Sequence, residues 1–230
     1  MKYEAAKLIS HSHVSEKFSA VDMDLQDLIS YCARVSNPAN QLNVETSEKL
    51  VRYLIKNKHW SPLEMVSACV EVTTTRDIAR QLLRHRSFSF QEFSQRYADP
   101  VKELNFITRE ARLQDTKNRQ NSLNTADEAT KVWWEIKQQE LITLASNTYK
   151  AALEKGIAKE QARVILPEGN TVSRLYVSGT LRSFIHYIEV RSGNGTQKEH
   201  MDLACEVATC LAPIFPMIGE FIDVKTPVTH

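Results

Sequence analysis

The sequence predicts an α/β (α+β) fold: a central, mostly antiparallel sheet flanked by helices, in a single domain spanning 1–230. Three observations carry this. Met65 to Thr75, rich in β-branched residues and partly alternating, reads as a strand that feeds a helix. Thr171 to Ser178 reads as a second strand, followed by a helix from Thr180 to Val190. Ala126 to Lys155 keeps one helical pattern and ends at Gly156 as a C-cap. At 230 residues the chain can bury a real core in one domain and is short for two.

Taken in order, Met1-Lys2-Tyr3-Glu4 lacks the apolar run and cleavage site of a secretory leader, so a cytoplasmic protein is expected. His11 and His13 form an isolated pair in what reads as a flexible polar segment, since two ligands do not make a metal site. A helix covers Asp24 to Val35, with Leu25, Leu28, Ile29 and Cys32 on its apolar side, and Asn37-Pro38 ends it. The next helix runs from about Thr46 to Asn57, with Leu50, Tyr53 and Leu54 inward and Thr46 or Ser47 as cap. It delivers His59-Trp60-Ser61-Pro62-Leu63-Glu64, whose residue types alone read as a turn.

After the first strand, Thr74 and Asp77 have the spacing of a capping box, which starts a helix near Thr75. Ile78, Ala79, Leu82 and Leu83 form its core side, and Arg80 and Arg84 lie one turn apart on its polar side. Beyond Arg86 the period turns from helical to alternating. Phe88, Phe90, Glu92, Ser94 and Arg96 then share one face of an extended segment. Asp99-Pro100 opens a polar stretch to about Thr125, either a mobile loop or an excursion, with no chemistry assigned. Within the long helix, Trp133, Ile136, Leu141, Leu144, Tyr149 and Leu153 make a stripe that reads as core or subunit interface. Lys159 to Pro167 is a short helix with Arg163 in it. Arg182 and His186 share one face of the 180–190 helix, and Arg191 closes it, as a cation favours at a C-terminus. A last helix spans Thr196 to Leu211, before Pro213.

Composition bounds the chemistry. The net charge is +1, so any anion site must be local, and no apolar run reaches membrane-spanning length. Cys32, Cys69, Cys205 and Cys210 show no CxxC spacing and read as reduced thiols; neither zinc nor disulfides are expected. There is neither GxGxxG nor a Walker A loop, so a nucleotide cofactor needs another device. Arg84-His85-Arg86 through Tyr97 concentrates guanidinium groups beside aromatic rings, which suits an anionic, planar ligand.

Arg84-His85-Arg86, seven residues, then Ser94, with Glu92 before it and Arg96-Tyr97 after it, resembles the defining motif of the flavin-dependent thymidylate synthases. Further stretches are similar to that family: Ala33-Arg34-Val35-Ser36; His59 to Glu64; Ala162-Arg163 to Pro167; and Arg182-Ser183 leading to Arg191. The resemblance covers about Ala33 to Glu199. One departure is Ser192-Gly193-Asn194-Gly195 after the last arginine, where many relatives carry Asp or His; Gln197 and Glu199 keep register.

The resemblance implies methylation of dUMP to dTMP, with 5,10-methylenetetrahydrofolate as carbon donor and FAD, reduced by NADPH, as hydride source. It implies that Gln81, Leu82, Leu83, Arg84, Glu92, Phe93, Ser94, Gln95, Arg96, Arg163 and Arg191 surround dUMP, with Arg191 acting in catalysis. It assigns His59, Ser61, Arg84, His85, Arg86, Glu92, Thr180, Leu181, Arg182 and His186 to FAD. It implies a homotetramer with sites shared between subunits, and no metal, nucleic-acid or membrane partner. Ser94 is expected to bind substrate rather than attack it, since no triad activates it. The rival readings are a cysteine-dependent synthase, which needs a thiol in a cationic setting, and a nucleic-acid-binding module, which the balanced charge disfavours.

Overall fold

The computed structural model describes residues 5–18, 22–193 and 195–223, so the expectations for Met1 to Glu4 and for Asn194 lie outside the described residues. The chain order is β1 (Ala6–His11), α1 (Leu25–Ala33), α2 (Ser47–Lys56), β2 (Ser67–Thr75), α3 (Arg76–Leu82), β3 (Ser89–Glu92) and α4 (Pro100–Glu103). It continues with β4 (Arg112–Gln114), β5 (Ser122–Asn124), α5 (Glu128–Glu154), α6 (Lys159–Ala162), β6 (Val172–Thr180), α7 (Leu181–Arg191) and α8 (Lys198–Leu211).

Four strands make one antiparallel sheet in the order β1-β2-β6-β3, and β4 and β5 form a separate hairpin. Its spine is β2 on β6, in unbroken register from Ser67 against Thr180 to Thr75 against Val172. Alternation supplies the buried face: Ala68, Val70 and Val72 on β2, Leu175 and Val177 on β6. Against these pack Ile78, Ala79 and Leu82 of α3, Phe184, Ile185 and Ile188 of α7, and Leu203, Val207 and Leu211 of α8, in one continuous core. A smaller cluster of Val101, Tyr149 and Ala162 sits under α5.

The expected mostly antiparallel sheet flanked by helices is therefore what forms, with several local corrections. The segment containing His11 is not a loose polar segment: Ala6–His11 is an edge strand on β2. No group of three or more His, Cys, Asp or Glu able to hold a metal occurs among the described residues. In α2 the buried apolar positions are Val51 and Leu54, whereas Tyr53 is 56% accessible. Thr75 rather than Thr74 stands at the N-cap of α3. Asp77 closes no capping box, because its carboxylate accepts from the Thr75 hydroxyl at 2.6 Å and from Arg109.

The extended segment stops at Glu92. Ser94 to Ala98 is a turn, with the Tyr97 and Ala98 amides donating to the Ser94 carbonyl, so Ser94 and Arg96 do not continue the face of Phe90 and Glu92. The polar stretch after Pro100 contains the β4–β5 hairpin. The α5 stripe divides: Tyr149 is fully buried, while Trp133, Ile136, Leu141 and Leu144 are exposed. Gly156, at φ +80°, ends α5 in the left-handed region as expected.

Candidate active site

The site is built where three helix ends meet. Past Leu82 the apolar period of α3 gives out, and the His85 amide donates to the Leu82 carbonyl at 3.0 Å, folding the histidine back toward the core. Its ring stands edge-on to Tyr187 at 5.1 Å and lies 6.5 Å from Phe88. The Thr180 hydroxyl caps α7 by accepting from the Ser183 amide, and eleven residues later the helix ends at Arg191. Arg191 Nε donates to His85 Nε2 at 2.9 Å. A ring nitrogen that accepts must be unprotonated. Burial, reinforced by the nearby Arg191 and His186 charges, lowers the His85 pKa to about 4.

Below this pair lies His200, fully buried on α8 and lowered to about 3 by burial, Arg191 and His85. Its Nδ1 is 3.3 Å from Gln81 Oε1, and the Gln81 amide donates to Gln197 Oε1 at 3.0 Å. Gln81, His85 and Arg191 thus form one group, resting on α8 residues.

A second group adjoins it on the exposed side. Ser61 opens the 3₁₀ turn Ser61–Glu64, and Arg182 of α7 forms an ion pair with Glu64. His59, Ser61, Arg182 and His186 are all exposed, and His186 is close enough to bear on His85.

A third group surrounds the end of β3. Glu92 accepts from the Ser173 hydroxyl at 2.6 Å and pairs with Arg76 at 3.4 Å. Ser94 Oγ is 3.4 Å from the Arg96 amide, and Gln95 is buried with its Nε2 unpartnered. Arg96 pairs with Glu160 of α6 at 3.3 Å, one turn before Arg163, so the two arginines border the same short helix. Among the described residues no hydrogen bond or ion pair joins this group to the Gln81–His85–Arg191 group.

Arg84 and Arg86 are exposed and form no ion pair among the described residues. Leu82 and Leu181 belong to the core, and the Leu181 amide donates to the Val66 carbonyl at 3.0 Å. Neither side chain is free to touch a ligand. Leu83 and Phe93 are half-buried, and the Phe93 amide is taken by the Arg174 carbonyl at 2.8 Å. Sequence reasoning missed His200, Tyr187, Arg109 and Arg112. His200 lies three residues after Gln197, which kept register, and that spacing on a helix was the available signal. For the two arginines the sequence carried none.

A family model described as thymidylate synthase complementing protein matches residues 19–217. A probable flavin-dependent thymidylate synthase of Paramecium bursaria Chlorella virus 1 is 50% identical over 198 residues, covering 86% of this chain and 90% of that protein. A flavin-dependent thymidylate synthase of Synechocystis sp. is 49% identical over 198 residues, covering 86% and 89%. Among solved structures, a UMP/dUMP methylase PolB from Streptomyces cacaoi bound with 5-Br dUMP superposes with TM-score 0.74 at 24% identity, covering 94% of this chain and 93% of that one. It has the same fold.

Proposed function

The chain belongs to the flavin-dependent thymidylate synthase family, and on that footing we propose that it methylates dUMP at C5 to give dTMP, with 5,10-methylenetetrahydrofolate as carbon donor. The observation that carries the residue assignment is the Arg191–His85 contact. A neutral imidazole accepts from Nε and fixes the guanidinium while adding no competing charge. The two terminal nitrogens keep their full cationic donor capacity for a ligand. Laid against the uracil carbonyl oxygens, they lower the cost of negative charge in the ring as C5 becomes nucleophilic. Gln81 stands beside them as the neutral hydrogen-bonding partner.

The residues present fit a flavin nucleotide held without Rossmann glycines. Arg84 and Arg86 offer uncommitted charge for phosphates, and His59, Ser61, Arg182 and His186 offer exposed polar contacts around one turn and one helix face. When bound, FAD supplies the reducing equivalent for the transferred carbon, replenished from NADPH. Leu82 and Leu181 contribute only backbone, and Thr180 acts mainly as the α7 cap.

Two further points follow. Glu92, Ser94, Gln95, Arg96 and Arg163 complete the dUMP site from a neighbouring subunit, which accounts for the lack of any bond between the two halves of the candidate set within one chain. The exposed Val132, Trp133, Ile136, Leu141 and Leu144 of α5 support self-association, and we read the assembly as a homotetramer. A thiol mechanism is disfavoured: burial raises the Cys32, Cys69 and Cys205 thiols, the reverse of an activated nucleophile.

Replacing Arg191 by alanine is expected to lower turnover by about 10²–10³-fold with flavin still bound. Loss of flavin with unchanged turnover per bound flavin would overturn the assignment.

A further inference from the structure

A chain of side chains runs from the β4–β5 hairpin to α3, and charge fixes its polarity at one end. Arg112, 11% accessible at the start of β4, donates from Nη2 to Glu199 Oε1 at 2.5 Å and from Nη1 to Glu110 Oε1 at 3.3 Å. Gln197 Nε2 donates to Glu199 Oε2 at 2.9 Å, and Gln81 Nε2 donates to Gln197 Oε1 at 3.0 Å. His200 Nδ1 closes the chain at 3.3 Å from Gln81 Oε1.

An amide side chain has nearly the same shape either way round, so its neighbours must decide which end points where. A carboxylate can only accept. Gln197 therefore turns its NH₂ group to Glu199 and its carbonyl to Gln81. Gln81 must then donate to Gln197 and turn its own carbonyl to His200, whose Nδ1 carries the proton. Burial works to raise the Glu199 carboxyl, but the hydrogen bonds from Arg112 and Gln197 outweigh it and hold it below the usual range, so the polarity persists at neutral pH. The segment leading into the hairpin is tied to this end of α8 once more, by the Lys198–Glu110 pair at 3.0 Å.

We infer that Glu199 is a positioning residue for base selection: held in place and ionised by Arg112, and acting through Gln197, it locks the Gln81 amide in the orientation that fits uracil and rejects cytosine. This rests on Gln81 being a pyrimidine contact, as proposed above. After its internal bonds Gln81 keeps one N–H and one carbonyl lone pair. Uracil presents a carbonyl acceptor beside the N3–H donor; cytosine presents an amino donor beside an N3 acceptor, the same edge reversed. A free glutamine matches either base by flipping, and a locked one matches only the first.

The test is titration calorimetry of the full-length, flavin-loaded enzyme with dUMP and, separately, dCMP, for wild type, Arg112→Ala, Arg112→Lys and Glu199→Gln. Wild type is expected to prefer dUMP. Glu199→Gln is expected to narrow the dUMP/dCMP ratio by about tenfold or more, the scale of one mispaired buried polar group, and Arg112→Ala to narrow it by less, because the carboxylate it leaves still only accepts. Arg112→Lys, which keeps a charge on the carboxylate, restores most of the preference. An unchanged ratio in the alanine and glutamine variants overturns the inference, as does a wild type that binds both nucleotides equally. Should Arg112→Ala not fold by circular dichroism, the nearly isosteric Glu199→Gln decides alone. A wild type that binds no dUMP at all overturns the substrate reading instead.

Discussion

Gly179 tests how tightly the sheet and the candidate site are packed together. It lies on β6 opposite Ala68, and an added Cβ would sit 2.8 Å from Phe88 Cε1 and nearer still to Cδ1. Ordinary carbon contacts need about 3.5–4.0 Å, so the ring must retreat by roughly 1 Å. It has nowhere to go: Phe88 is 7% accessible, with Phe184 at 4.8 Å, Tyr187 at 6.0 Å and His85 at 6.5 Å. Overpacking of this kind costs about 1–3 kcal/mol. At about 2–4 °C per kcal/mol for a domain this size, Gly179→Ala should lower Tm by about 2–12 °C. The assay is thermal unfolding by circular dichroism at one fixed protein concentration, because association adds to apparent stability. Phe88→Leu in the Gly179→Ala background should recover part of the loss, giving a coupling of the sign expected for two groups in contact. A shift under about 1 °C, or strictly additive effects in the double variant, would show that Phe88 has room to move away from position 179.

Other perturbations follow from the same geometry. Asp77→Asn leaves the Arg109 guanidinium, bonded to Asp77 at 2.6 and 2.9 Å, without its charge partner; a loss of about 2–4 kcal/mol is expected in urea unfolding at pH 7. Burial works to raise the Asp77 carboxyl, but the bonds from Arg109 and Thr75 leave it depressed, so its contribution holds above the usual carboxylate range and is lost as pH falls through the folded value. The Asp77→Asn variant should accordingly lose less stability than wild type in that acid range. His85, lowered to about 4 among Arg191, His186, His200 and Tyr187, binds fewer protons folded than unfolded. Stability should therefore fall as pH drops from about 6.5 toward 4. A His85→Asn variant should show a flatter Tm profile across that window, and an unchanged slope would contradict a buried neutral imidazole.

Much of the fold was legible because its signals are local. The strand-to-helix joints at Thr75 and Thr180 follow from β-branched alternation, with a hydroxyl cap at Thr180 alone, and the stop at Gly156 from a glycine that takes a positive φ. β1 was missed because it is an edge strand: of Ala6 to His11 only Ala6 is buried, so no alternation marks it. The turn at Ser94 hid for a related reason, since Phe90 and Glu92 set up a two-residue rhythm that the backbone abandons one residue later. The candidate set was legible as residue types in order, but its partition was not. That Gln81, His85 and Arg191 share one junction, while Glu92, Ser94 and Arg96 bond elsewhere, depends on where α7 and α8 end. Arg109 and Arg112 looked like polar loop residues and gain meaning only through Asp77 and Glu199, distant in sequence.

The most direct measurement is an absorption spectrum of the purified protein, followed by anaerobic addition of NADPH with and without dUMP. Flavin bands that bleach with NADPH, and faster when dUMP is present, are expected. A colourless protein that takes up no added FAD would contradict this, and binding of the Arg84–Arg86 segment to nucleic acid would then be the first alternative to examine.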